Sequence, residues 1–204
     1  MTCKESEEVE LKLAFDPRDC ESMDWAELFG SEPRRIRQFA VYFDTPDHAL
    51  ARAGLSLRIR AEGTRRVQTV KSRHAATGTF VRSEWEFEVE HETPVLDDRT
   101  PVQAALGAQI GHLAPIFTID NERAVWNVGG VEIALDEARV SAGDKALLFS
   151  EIEFEAKGAD VAALFRLARR VAGVVPVDPG IASKADRGYR LLGDASPGGK
   201  AATV

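Results

Sequence analysis

The segment Glu8-Val9-Glu10-Leu11-Lys12 alternates charged and apolar residues at a spacing of two. In a strand, Glu8, Glu10 and Lys12 share one face, while Val9, Leu11 and Leu13 share the other. The pattern recurs along the chain. Arg58 and Arg60 alternate with Leu57 and Ile59, and Lys71 shares a parity with Thr69 and Arg73. Glu84, Glu86 and Glu88 follow Arg82 on one face, and Glu151, Glu153 and Glu155 alternate with Ile152 and Phe154. Glu132 and Asp136 stand opposite Val131, Ile133 and Leu135, and Asn121 shares a face with Arg123. A solvated sheet face usually mixes signs and neutral polar residues. Here some strands are almost purely acidic and others purely basic, and like charges side by side repel. The pattern therefore asks for counter-charges between the strands: a cation for the carboxylates and an anion for the Arg and Lys rows. A multivalent anion chelating a divalent metal answers both.

The residue types narrow the chemistry. Carboxylates without nearby His or Cys are hard oxygen ligands, suited to Mg²⁺ or Mn²⁺ rather than zinc. The histidines, His48, His74, His91 and His112, have no ligand spacing. Paired arginines such as Arg58 and Arg60 match the multi-oxygen geometry of phosphate groups. No phosphate-binding GxxxxGK[ST] loop, no GxGxxG dinucleotide motif and no nucleophilic Ser or Cys in a motif setting is present.

The elements that must position these residues are read from periodicity and turn signals. Eight strands are expected near 7–15, 35–44, 54–62, 65–74, 79–91, 115–127, 130–139 and 146–157. Turns at Glu62-Gly63-Thr64, Thr77-Gly78, Gly129-Gly130 and Ala142-Gly143-Asp144 imply antiparallel neighbours. Asp16-Pro17 reads as a cap and first-turn proline opening a helix that runs to Gly30. Thr100-Pro101 repeats that signal for a short helix. Val161, Leu164, Leu167 and Val171 recur at helical spacing before Gly173, and Ser183 caps a last short helix carrying Lys184 and Arg187. The expected class is α+β, mainly antiparallel β: an eight-stranded closed β-barrel, a tunnel, with flanking helices. Residues 1–192 form one domain, and 193–204, small and polar, a disordered tail.

Composition sets outer limits. The 204 residues carry a formal net charge of -7, which argues against general affinity for nucleic acid or an anionic membrane. Cys3 and Cys20 make neither a disulfide framework nor a metal spacing, as in a reducing cytoplasm. The acidic start "MTCKESEEVE" has no signal-peptide core, and no apolar run reaches the roughly 20 residues of a membrane span. A cytoplasmic location is expected. The oligomeric state is not legible.

Taken in order, these residues resemble a known pattern. Glu8-x-Glu10-x-Lys12 resembles the N-terminal signature of the CYTH, or triphosphate tunnel metalloenzyme, superfamily. The likeness continues through Tyr42-Phe43-Asp44-Thr45-Pro46, Gly54-Leu55-Ser56-Leu57-Arg58-Ile59-Arg60 and Thr69-Val70-Lys71. It runs on through Arg82-x-Glu84, Arg123, Glu132–Gly143, Glu151-x-Glu153-x-Glu155 and Ser183-Lys184-Ala185-x-Arg187-Gly188-Tyr189, covering roughly residues 5–192. The chain is most similar to the bacterial inorganic triphosphatase branch, commonly the N-terminal half of CYTH–CHAD proteins; the CHAD half has no counterpart in this sequence. The resemblance implies an inward-charged tunnel in which Glu8, Glu10, Glu151, Glu153 and Glu155 hold Mg²⁺ or Mn²⁺. It implies a triphosphate cradle of Lys12, Arg58, Arg60, Lys71, Arg123, Lys184 and Arg187. Glu84, Glu86 and Asp136 match acidic positions that serve a second metal or position water. The implied activity is metal-dependent hydrolysis of inorganic triphosphate, or a related polyphosphate, to pyrophosphate and phosphate. Thiamine triphosphate hydrolysis, class IV adenylate cyclase-type chemistry and polyphosphate binding without turnover are the alternatives. Two positions depart from relatives: Asn121 stands where some have lysine, and Ala40 where some have asparagine.

Overall fold

A computed structural model describes residues 4–72, 81–180 and 182–193, with side chains from Val9 in the first strand and from Ser83 in the fifth. The period-two segments all form strands: β1 (Lys4–Phe15), β2 (Arg34–Asp44), β3 (Leu55–Glu62), β4 (Arg65–Ser72), β5 (Val81–Glu88), β6 (Ala114–Val128), β7 (Val131–Ala142) and β8 (Lys145–Ala156). A two-residue β9 (Asp178–Pro179), not anticipated, lies beside β1. Every pairing is antiparallel, in the order β5-β4-β3-β2-β6-β7-β8-β1-β9. β1 pairs through Lys4–Val9 with β5 and through Glu10–Phe15 with β8.

The helices are α1 (Pro17–Glu21), α2 (Trp25–Phe29), α3 (Ala49–Arg52), α4 (Val102–Leu106), α5 (Val161–Ala172) and α6 (Lys184–Leu192). α2 and α5, and α3 and α4, pack on the apolar parity of the strands, whereas α6 packs on the parity that carries the charged residues. One core gathers Trp25, Phe29, Trp126, Ile133, Phe154 and Leu164 beneath α2 and α5. A second sets Leu50 and Val102 against Leu57, Val70 and Phe87, and a third joins Tyr42, Phe117, Val140, Phe149 and Tyr189 beneath α6. In the first two cores strand alternation turns the charged side chains away from the helices; in the third, Tyr42, Phe117, Val140 and Phe149 share the parity of Arg123, Asp136 and Glu151, so α6 meets the charged side.

Three local expectations change. The helix expected from Pro17 to Gly30 is two. Ser22 ends α1, and the Asp24 carboxylate accepts from the Glu27 amide at 2.9 Å and starts α2. A short polar side chain that caps a new start competes with helix continuation. The helix after Thr100-Pro101 begins one residue later, with Pro101 at the cap position and no side-chain cap. The one-turn helix α3 carries no period-two or cap signal of its own; the Asp44 carboxylate nucleates it by accepting from Leu50 and Ala51 amides. The expected ends of the fourth and fifth strands, 73–74 and 79–80, the turn expected at Thr77-Gly78 and the expected tail beyond Gly193 lie outside the described residues. Cys20 is free and buried, and burial pushes its thiol up to about 12. No helix among the described residues is long and apolar enough to cross a membrane.

Candidate active site

Register brings the charged parities together. Across β1, β8 and β7, Lys12 lies opposite Glu153, Glu10 opposite Glu155, Glu155 opposite Glu132, and Glu151 opposite Asp136. Across β2 to β5, Tyr42 lies opposite Arg58, Ala40 opposite Arg60, Thr69 opposite Glu86 and Lys71 opposite Glu84. A cavity of about 210 Å³ separates the two walls, with Arg58, Arg60 and Lys71 on one side and Glu10, Glu153 and Glu155 on the other. Arg123, Lys184, Glu84 and Glu86 also line it. A second cavity of about 60 Å³ shares Arg58, Lys71 and Lys184 and adds Lys12.

The acidic wall is tightly paired. Lys12 Nζ lies 2.7 Å from Glu153 and 3.4 Å from Glu151. Lys184 Nζ, reaching down from the first turn of α6, lies 2.5 Å from Glu151, 2.7 Å from Asp136 and 3.1 Å from Glu153. Arg123 forks onto both Asp136 oxygens at 2.7 and 2.6 Å and reaches Glu153 at 2.7 Å. Asp136 and Glu151 have no solvent exposure, so this pairing is what makes their charges tolerable. Burial alone would raise the Glu153 carboxyl, but Lys12, Lys184 and Arg123 hold it well below the usual range. Asp136 is lowered in the same way, its burial outweighed by Lys184 and Arg123. For Lys12 and Lys184 burial acts downward, and the carboxylates facing them leave both raised.

These directions fix a pH dependence. Glu153 and Asp136, lowered from 4.5 and 3.8, contribute stability above those values that is lost as pH falls through the lower folded ones. Lys12 and Lys184, raised from 10.5, contribute stability in full below it that is lost as pH rises through the higher folded values. The thermal midpoint should be flat between about pH 5 and 10 and fall on the acid side. A midpoint that rises as pH drops from 6 to 4 contradicts this pairing.

On the basic wall Arg60 is short of counter-charge, whereas at Arg58 burial acts downward and Tyr42, Glu84 and Glu86 leave the guanidinium raised. Burial, then Arg58, then Arg123 lower the Arg60 guanidinium to about 10, and its ion pair with Glu86 is long, 3.6 Å. Glu86 also accepts from Thr69 Oγ1 at 2.9 Å, and Lys71 lies 3.1 Å from Glu84. The Nε groups of Arg58 and Arg187 are buried without a hydrogen-bond acceptor among the described residues. Arg60, lowered by burial and by neighbouring cations, together with the unused Nε donor of Arg58, describes an anion site.

The expected site residues are thus mostly, not wholly, together. Asp136, expected beside Glu84 and Glu86, instead joins Glu151 and Glu153, whose ligand oxygens with its own all lie within 4.8 Å of one another. Glu84 and Glu86 stay on β5 with the basic wall. Glu10 and Glu155 line the cavity one register step from Glu153. The backbone of Glu8 pairs with Arg82, but its side chain lies outside the described set. Arg187 lines neither cavity; its guanidinium rests 4.4 Å over the Phe149 ring and lies 3.4 Å from Glu151. Asn121 donates to Asp136 at 2.6 Å and to Gln38 at 3.3 Å. Tyr42 and Lys157 line the cavity without having been singled out. Lys157 continues the parity of Glu151, Glu153 and Glu155, and Tyr42 shares its parity with Ala40; either could have been found that way.

The oxygen-only set Asp136, Glu151 and Glu153 fits a hard divalent cation by donor chemistry, with Glu10 and Glu155 close by. The CYTH domain family profile matches residues 6–189. The inorganic triphosphatase of Haemophilus influenzae is 31% identical over 208 residues, covering 91% of this chain and 55% of that protein. The chain thus spans about half the length of that curated relative. Among solved structures, HpAC1 of Hippeastrum, described as an adenylyl cyclase candidate with a dominant triphosphatase activity, shares a TM-score of 0.67 at 22% identity, covering 93% of this chain and 98% of that one. A Bacillus halodurans adenylate cyclase candidate gives a TM-score of 0.66 at 21% identity, covering 90% and 97%. At such identities the likeness is one of fold. The family match, by contrast, takes in both charged walls and α6 as far as Tyr189, and the chain belongs to the CYTH domain family.

Proposed function

We propose that the sheet works as a closed eight-stranded tunnel, formed by residues 1–192 in the cytoplasm, that hydrolyses inorganic triphosphate to pyrophosphate and phosphate with Mg²⁺ or Mn²⁺. The observation that carries this reading is the setting of Arg60: lowered by burial and by Arg58 and Arg123, it lines a cavity of about 210 Å³ with Arg58 and Lys71 beside it and carboxylates opposite. The name of the Haemophilus influenzae relative supports the choice of substrate, and the pairing of β1 with both β5 and β8 supports closure.

Asp136, Glu151 and Glu153 would hold the metal, with Glu10 and Glu155 as further carboxylates lining the cavity and Glu8 as an additional ligand. Bound there, the metal supplies charge that polarises phosphoryl oxygens and acidifies water. Arg58, Arg60, Lys71 and Arg123 bind the phosphate chain and stabilise charge spread over the equatorial oxygens as the phosphoryl group transfers. Lys12, Lys184 and Arg187 would supply further positive charge to the phosphate chain. Glu84 and Glu86 hold Lys71 and Arg60 in place and orient water beside them. With Asn121 in place of lysine, the leaving pyrophosphate is met by Arg123 and Lys184.

Phosphorus NMR of inorganic triphosphate incubated with the protein and Mg²⁺ tests this directly. Equal amounts of pyrophosphate and phosphate are expected. Unchanged triphosphate, bound but intact, would reduce the protein to a binding module.

A further inference from the structure

α6 carries Lys184 and Arg187 near its start and Tyr189 further on, and two different sets of contacts hold it. The first is ionic: Lys184 with Asp136, Glu151 and Glu153, and Arg187 with Glu151. The second involves no charged group of α6. Gly188 is pressed so close to Phe117 that a Cβ there would meet ring atoms at 2.2 to 2.4 Å. The Tyr189 ring stands edge-on to Phe117 and His48, with centroids 5.4 and 5.5 Å away. Its hydroxyl donates to Asp44 Oδ2 at 2.7 Å.

Asp44 is a rigid acceptor. It has no solvent exposure; Oδ1 accepts from the Thr45 and Leu50 amides at 2.7 and 2.8 Å, and Oδ2 accepts from Ala51 at 3.0 Å. A carboxylate held by three backbone amides at the β2–α3 junction cannot follow a moving partner. The two sets of contacts therefore respond differently to ligands. On the triphosphate reading, the oxygens of Asp136, Glu151 and Glu153 would go to metal and Lys184, which lines the cavity, to triphosphate, with Arg187 beside it on Glu151, so the ionic set would be exchanged during binding. The Gly188, Tyr189 and Asp44 contacts would not be.

We propose that Tyr189 and Asp44 are positioning residues for the α6 half of the triphosphate cradle. Their buried hydrogen bond keeps α6 seated on the sheet while Lys184 and Arg187 change partners, so that both cations meet the phosphate chain in one geometry. The inference rests on the triphosphate reading above and adds to it a residue pair that touches neither metal nor substrate.

Tyr189→Phe keeps the ring packing and removes only the hydroxyl. It should raise both the KM for inorganic triphosphate and its Kd in EDTA by roughly tenfold, the size of one hydrogen bond to a charged group, and leave kcat within about twofold. The discriminating measurement is a double-mutant cycle. In a Lys184→Gln background the tenfold penalty should shrink to about twofold or less, because the cation being positioned is gone. In an Arg60→Ala background, on the wall α6 does not carry, the full penalty should persist. A purely structural hydroxyl would give the same penalty in both backgrounds, or a lower Tm with unchanged affinity, and either result overturns the proposal. Wild-type protein that neither binds nor hydrolyses triphosphate overturns the functional reading and this inference with it. Active wild type with an indistinguishable Tyr189→Phe variant overturns the inference alone.

Discussion

Glu153→Gln should reduce turnover of inorganic triphosphate by about a thousandfold while leaving the protein able to bind it, the loss expected when one preorganised charge is removed from such a site. Lys12, Lys184 and Arg123 all converge on this carboxylate, at 2.7, 3.1 and 2.7 Å. With Glu153 neutral, those three cations keep only Asp136 and Glu151 among the buried carboxylates they contact. Two effects of opposite sign follow. The apo fold loses about 3 kcal/mol, the lower end for breaking a buried pair, because the Glu153 side chain keeps 16% exposure. Triphosphate, finding an extra positive charge unopposed, should bind in EDTA at least as tightly as to wild type and restore much of the lost stability. Thermal midpoints with and without triphosphate, together with kcat against Mg²⁺ concentration, check both. Near-normal turnover with an unchanged Mg²⁺ dependence would remove Glu153 from the site.

Arg60→Ala should do the reverse. Arg60 sits in a place that disfavours its charge, lowered to about 10 by burial, Arg58 and Arg123. Its removal relieves that repulsion, so the midpoint of the apo variant should match or exceed that of wild type, lost side-chain packing offsetting part of the gain. The KM for triphosphate should rise by about a hundredfold, as expected when a charged partner of a buried anion is truncated. A residue that costs the fold stability and gives the ligand affinity is held for function. A lower midpoint with unchanged kcat/KM would make Arg60 an ordinary structural cation.

The strand positions and their charged faces were legible because period-two alternation is a local signal, and Glu8-Val9-Glu10-Leu11-Lys12 or Glu151-Ile152-Glu153-Phe154-Glu155 states it without ambiguity. What such alternation cannot state is which charged rows meet. Asp136 joins Glu151 and Glu153 because β7 and β8 pair with Asp136 opposite Glu151, a register set by the hairpin between them. Its grouping with Glu84 and Glu86 followed the family resemblance, which assigns a role and no register. Lys184 was legible as a capped first-turn residue, but its arrival beside Glu151 depends on Gly188 seating α6 on Phe117, a tertiary fit no spacing encodes. The break at Ser22–Asp24 was missed because the cap at Asp24 looks, in sequence, like any polar position on a helix. Asp44 shows the limit most plainly. Within Tyr42-Phe43-Asp44-Thr45-Pro46 it reads as a strand-end turn residue, and only the structure reveals one buried carboxylate organising α3 and receiving Tyr189.

The central claim is metal-dependent turnover of a triphosphate chain inside the charged cavity. It is tested most directly by phosphate release from inorganic triphosphate, ATP, thiamine triphosphate and long-chain polyphosphate, each with Mg²⁺, with Mn²⁺ and with EDTA. The account predicts rapid release from inorganic triphosphate with either metal, much slower release from the other three, and none in EDTA. Release that persists in EDTA, or a preference for ATP or thiamine triphosphate over inorganic triphosphate, would contradict it.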